Sequence, residues 1–167
     1  IPETSECYDA AVKLINEDGC TAIFANSYGH QTFMAQAAKD YKDVTFVSMT
    51  GDFAAISGLS NLKNAFTDVY QSRYVSGVVA GMKIQELVDN GKLAAANYDD
   101  NGNVKVGYVG AYNYAEVVSG YTAFYLGIKS VFPKVTMYVD YTQSWFDVDK
   151  EAAMAEKFIG EGCVIIG

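Results

Sequence analysis

Residues 103–147, NVKVGYVGAYNYAEVVSGYTAFYLGIKSVFPKVTMYVDYTQSWFD, decide the fold. They read as a strand over 104–109, a loop over 110–114, a helix over 115–130 and a second strand over 135–141. A loop carrying Trp145, Phe146 and Asp147 follows. The helix rests on Val117, Tyr121, Phe124 and Ile128, whose spacing keeps one apolar face inward, and Phe132-Pro133 stops it. Strand, helix and strand in so short a span make a crossover between parallel strands. The loops after Val109 and Tyr141 therefore emerge at one carboxyl edge, where open α/β sheets bind ligands.

The segments on either side follow the same grammar. Residues 4–18 read as a helix with Cys7, Ala11 and Leu14 on one face and Gly19 as its cap. The apolar run TAIFAN over 21–26 reads as a strand covered on both faces. A helix over 31–40 and a strand over 44–49 complete a second β-α-β unit, with Ser27, Tyr28 and His30 in one carboxyl-end loop and Thr50 and Asp52 in the other. The small and polar residues of 53–64 predict an irregular crossing between sheets. A long helix over 65–89 carries a patch of Ser76, Gly77, Ala80 and Gly81 that admits another backbone, and a last helix over 147–160 is expected to turn Val148, Ala152, Ala155 and Ile159 inward. LINEDGC before TAIF and FIGEGC before VIIG repeat a helix end, a glycine and a buried strand, as two lobes of similar build would. The divisions expected are 1–60 as part of a first lobe, 61–103 as crossover and long helix, and 104–167 as part of a second lobe.

Composition narrows the partners. With 167 residues, half of them apolar, the chain can bury a sizeable core. A net charge of -8 argues against nucleic acid and anionic membrane and fits a small neutral or cationic ligand. No apolar run is long enough to span a bilayer, and no signal-like start is visible. The chain opens at Ile1 without a methionine and stops as a strand begins, which reads as a piece of a longer protein. Three cysteines without a C-x-x-C pair and a single histidine make no zinc-ligand set, so neither metal nor cofactor is expected.

FANSYGHQTFMAQAAKDYKDVTFVSMTGD, VYQSRYVSGVVAGMK, VGYVGAYNYAEVVSGYTAFYLGIKSVFP and YTQSWFD together resemble the basic membrane protein family of substrate-binding proteins, relatives of the purine nucleoside receptors of bacterial ABC importers. The resemblance implies a two-lobed α/β fold of the type I periplasmic-binding-protein kind, with parallel sheets, present here as a fragment. It implies capture of a nucleoside-like small molecule by a lipoprotein, whose anchor lies outside these residues, for an ABC transporter permease. The first strand and its ligand loop, and the strands after Gly167, are missing relative to that family.

The expected ligand-binding residues are Ser27, Tyr28, Asp52, Asn61, Tyr112, Trp145 and Asp147. Trp145, the single tryptophan, offers a face to a planar base or is core at a strand end. Asp147 offers an acceptor to a hydroxyl or amine, while Ser144-x-x-Asp147 also reads as a capping box. Asp52 is a ligand acid or a solvated loop acid, and Asn61 a contact or an ordinary turn residue. Ser27 and Tyr28 stand where a loop leaves a buried strand, and Tyr112 and Tyr114 wall the first loop of the central stretch. His30 is a contact or a solvated first-turn residue, and Arg73 a helix-flank cation. Gly107-x-x-Gly110 lacks the G-x-G-x-x-G of a dinucleotide turn and reads as close packing. No nucleophile with an adjacent base is visible, so no catalytic residue is expected. Two other classes use the same grammar: a ligand-sensing domain of a signalling receptor, and a cleft hydrolase with Asp52 facing Asp147.

Overall fold

Residues 1–167 are described by a computed structural model that divides into two units, Ile1–Thr67 and Asp68–Gly167. Each is built on a three-stranded parallel sheet.

In the first unit, α1 (Glu6–Asn16) leads to β1 (Ala22–Ala25), α2 (Gln31–Asp40), β2 (Thr45–Ser48), α3 (Phe53–Ser57) and β3 (Leu62–Asn64). Gly19 takes φ +68, a left-handed turn that glycine adopts without a Cβ penalty, and the chain re-enters the sheet behind it. The strands lie in the order β1-β2-β3, with Phe46 between Ile23 and Leu62. Side chains alternate across a strand. Ile23, Ala25, Phe46 and Leu62 point to one face, where Cys7 and Ala11 of α1 and Met34, Ala35, Ala37 and Ala38 of α2 close a core. On the other face Phe24 is 69% exposed, so TAIFAN is covered on one side and not on both. The segment 53–64 is likewise no irregular crossing. It holds a short helix and the third strand of this sheet, because Asn61, Leu62 and Asn64 bond to the first unit and not beyond it.

In the second unit, α4 (Val69–Asp89) precedes β4 (Val104–Gly110), α5 (Ala115–Val131), β5 (Val135–Tyr141), α6 (Val148–Gly160) and β6 (Ile165–Ile166). The strand order is β5-β4-β6. Val104, Val106 and Tyr108 meet Ala80 and Ile84 of α4 and Phe124 and Ile128 of α5 in the core. The α4–α5 seam is backbone on backbone: a Cβ on Gly77 would lie 2.0 Å from the Phe124 carbonyl oxygen, and one on Gly127 would lie 2.1 Å from that of Tyr74. The small patch expected on the long helix does admit a neighbour in this way, through Gly77, Ala80 and Gly81, while Ser76 faces out.

The alternate residues of β4 face α6. Its inward residue is Phe158, 1% exposed, whereas Val148 and Ile159 of the expected face are 63% and 64% exposed. The reason lies in Gly107, where a Cβ would come within 2.6 Å of the Phe158 ring, so the bare glycine selects which helical face docks. Gly110 packs on the Tyr141 ring in the same manner, in keeping with close packing and not a dinucleotide turn. All three cysteines are free thiols, and burial pushes Cys7 and Cys163 up from the ordinary thiol range. No helix is long and apolar enough to cross a membrane.

Candidate functional site

Parallel strands deliver their following loops to one edge of a sheet. In the first unit that edge carries Ser27 and Tyr28 after β1 and Asp52 after β2. The loop after β1 is tied to the chain ahead of α1. Glu3 accepts from the Ser27 hydroxyl and, at 2.9 Å, from the Gly29 N–H, and the His30 ring lies 3.1 Å from the Ile1 carbonyl oxygen. Tyr28 begins a single 3-10 turn, Tyr28–His30, that leads into α2.

The loop after β2 has a different support. Gly51 takes φ +81, and Asp52 stands at the N-cap position of α3 without a side-chain capping bond. The Gln31 carboxamide oxygen accepts from the N–H groups of Asp52 (3.1 Å) and Phe53 (3.0 Å). Asn64 accepts from the Ala54 N–H at 2.7 Å and donates to the Thr50 carbonyl at 2.8 Å. The Asp52 side chain remains exposed.

Asn61 is not brought to this edge. It precedes β3, at the opposite end of the sheet, and its amide is shared among the carbonyl oxygens of Ala38 (3.0 Å), Tyr41 (3.1 Å) and Val44 (2.9 Å). With its donors spent on the end of α2 it is a staple of the fold, and the expected ligand contact is corrected accordingly.

In the second unit the loops after β4 and β5 are bonded together, Thr142 N–H to Gly110 O and Gln143 N–H to Ala111 O, each at 2.9 Å. Gln143 is held at φ 57, a left-handed conformation that costs a non-glycine residue energy and turns the chain just before Trp145. Three aromatic rings gather there. Tyr112 and Tyr114 stack with centroids 5.0 Å apart and planes 10° from parallel, and Trp145 meets Tyr112 edge-on at 5.1 Å and Tyr114 at 6.0 Å. Trp145 stays 42% exposed. Tyr141 stands beneath this loop with its hydroxyl 3.1 Å from that of Tyr121 and 3.3 Å from Asn113 Oδ1. Burial first, and the Tyr121 hydroxyl second, push its pKa up to about 12.

Asp147 is committed elsewhere. It is the N-cap of α6, accepting from the Lys150 N–H at 3.0 Å, with the Lys150 ammonium at 2.9 Å, and these contacts hold its carboxyl below the ordinary range. Glu151 returns the bond to the Asp147 N–H at 3.1 Å. The capping group is therefore Asp147 with Glu151. Ser144 does not cap: its hydroxyl serves the turn, donating to the Phe146 carbonyl.

Of the residues expected from sequence, Ser27, Tyr28 and Asp52 share the carboxyl edge of the first sheet, and Tyr112, Trp145 and Asp147 that of the second. The sequence does not mark Glu3, Gln31 and Asn64 as loop supports. Their partners are distant in sequence, and a glutamine opening a helix or an asparagine closing a strand carries no mark of what it will bond. No group of three or more His, Cys, Asp or Glu side chains converges as metal ligands would.

Comparison with known proteins bears on this geometry. The profile of the Bmp family, described as ABC transporter substrate-binding protein PnrA-like, matches residues 1–167. A purine-binding protein of Brucella abortus (strain 2308) is 31% identical over 158 residues, covering 95% of this chain and 39% of that protein. Among solved structures, an ABC transporter solute-binding protein from Conexibacter woesei DSM 14684 superposes with a TM-score of 0.60 at 19% identity, over 98% of this chain and 49% of that one. A transcriptional activator of the comK gene from Bacillus halodurans reaches 0.66 at 19% identity over the same shares. The chain thus spans two-fifths to half the length of these relatives, and the likeness to the solved structures establishes a periplasmic-binding-protein-like α/β fold.

Proposed function

The chain belongs to the Bmp family of PnrA-like ABC transporter substrate-binding proteins, and we propose that within it the protein captures a purine nucleoside outside the cytoplasmic membrane and delivers it to an ABC importer. The observation that carries this reading is the 31% identity to a purine-binding protein across 95% of the chain. The chemistry at the sheet edges agrees with it. A purine presents a flat π face, and stacking on an aromatic side chain is worth about 1–3 kcal/mol per base. Trp145, with two tyrosines fixing its position, offers such a face. A third ring does not fit between Tyr112 and Tyr114, whose centroids are 5.0 Å apart, so the base stacks on Trp145 or on an outer tyrosine face. Separately, in the first unit, Asp52 at its own sheet edge is an exposed carboxylate of the kind that accepts from a hydroxyl or an amine. The reading is one of binding and not catalysis, with the permease as protein partner and any lipid anchor outside these residues.

The test uses the full-length protein. Thermal shift against purine nucleosides, free bases and sugars should single out the nucleosides, since a ligand at 100 times its dissociation constant adds about 2.7 kcal/mol of stability. Trp145→Ala should then weaken nucleoside binding by about 1–3 kcal/mol in titration calorimetry, and Trp145→Phe should keep most of it. Absence of any response to purines would refute the assignment. Unchanged affinity in Trp145→Ala, with an intact circular-dichroism spectrum, would show that the tryptophan stacks on no ligand.

A further inference from the structure

The N-terminus of α3 poses a question that its own sequence does not answer. Aspartate is among the best helix caps, and giving up that bond weakens a helix. Asp52 occupies the cap position of α3 and makes no such bond. The donors a cap takes are already used: Asn64 at the end of β3 accepts from Ala54 N–H, and Ala55 N–H goes to the Asp52 carbonyl at 3.1 Å. Gln31, 6% exposed at the start of α2, accepts from the two N–H groups just ahead of these, those of Asp52 and Phe53. Gly51 makes the arrangement possible. Its φ of +81 turns the loop, and a Cβ there would lie 2.2 Å from the Gln31 oxygen that accepts from Asp52 and Phe53. Asp147, the other acid at a candidate edge, shows the contrast, because it caps its own helix and pairs with Lys150.

We propose that Gln31 and Asn64 are positioning residues for ligand capture: by taking the N–H groups of Asp52, Phe53 and Ala54, they hold the loop 50–54 in one conformation and keep the Asp52 carboxylate uncommitted as an acceptor for paired donors on the ligand. This rests on the nucleoside-capture reading above, in which vicinal hydroxyls or an amine are those donors. Two carboxamides from different elements brace one five-residue loop, so its geometry is set before ligand arrives. A carboxylate that accepts from a ligand hydroxyl without first breaking a bond within the protein gives up only its water on binding.

The experiment has two arms on the full-length protein. In the first, amide hydrogen exchange without ligand is compared between wild type and Gln31→Met, which keeps the side chain's length and removes the acceptor. Exchange at Asp52 and Phe53 should accelerate while the strand amides of β2 keep their protection, and Gln31→Glu, which retains an acceptor, should restore slow exchange. Unchanged exchange in Gln31→Met overturns the proposal whatever the ligand. In the second arm, inosine and adenosine affinities are measured for Gln31→Met, Asp52→Ala and the double variant. Gln31→Met should weaken binding roughly ten-fold, the size of one lost charge-assisted hydrogen bond, and should add nothing in the Asp52→Ala background. Additive losses, or full affinity in Gln31→Met, overturn it. A wild-type protein that binds neither nucleoside refutes the nucleoside reading, and the exchange arm still decides whether Gln31 holds the loop.

Discussion

Asp99 shows how much a single carboxylate can hold in this fold. It accepts from the Thr136 hydroxyl at 2.6 Å, from the N–H groups of Asn101 (2.9 Å) and Asn103 (2.8 Å), and from the Asn103 amide at 3.1 Å, binding the turn before β4 to β5. The Thr136 hydroxyl foremost, with the Asn103 N–H next, lowers its pKa from an ordinary 3.8 to about 2. Because the folded value is the depressed one, the stability this group contributes is complete above about pH 4 and is lost as pH falls toward about 2. Urea denaturation at stepped pH should therefore show Asp99→Asn less stable than wild type at neutral pH and with a flatter decline over that acid range. Equal slopes in the two proteins would show that the turn does not need the charge. The same scale separates what the sequence discloses about the site from what it withholds. The placement of Trp145 and Tyr112 at one sheet edge was legible because both stand in loops that follow parallel strands. Asp147 shows a capping alternative in the sequence because a helix reads after it, whereas Asp52 reads only as a ligand acid or a solvated loop acid because 53–64 reads as irregular. What leaves Asp52 uncapped is Asn64, which takes the Ala54 N–H and is visible in that role only once the chain has folded.

Helices and strands were easier to read, and the errors have physical causes. The helix 31–40 and the strand 135–141 fall where periodicity and composition put them. The strand Leu62–Asn64 was hidden by its brevity and by Asn61 and Asn64, residues typical of turns that here serve as staples. In α6, two apolar faces competed on the sequence, and the choice was made by Gly107 on another element. The glycines of the α4–α5 seam give the prediction proper to this scale. Gly127→Ala would gain up to about 1 kcal/mol of helix propensity, but its Cβ would collide with the Tyr74 carbonyl, and overpacking of this kind costs about 1–3 kcal/mol. Net destabilisation in a thermal melt is expected. Gly160→Ala, in α6 with nothing within 4 Å of the new Cβ, is the control and should be neutral or stabilising. A stable Gly127→Ala would mean that the two helices can separate at no cost.

For the molecule as a whole, the two cores share no residue: one closes around Phe46 and the other around Ile84, Val106 and Ile128. Phe46→Ala should cost the first unit about 3–5 kcal/mol and speed amide exchange in β1 and β2, leaving β4 and α5 protected. Uniform loss of protection across both units would contradict separate cores. The α4–α5 seam bears on the second unit as a mechanism. Gly77 faces Phe124 and Gly81 faces Ile128, so the helices run in the same direction, level from their first turns onward. Where backbones touch directly there are no rotamers to absorb sliding, and a slip of one residue would drive a side chain into a carbonyl. The pair therefore behaves as a geared shaft with one tooth setting.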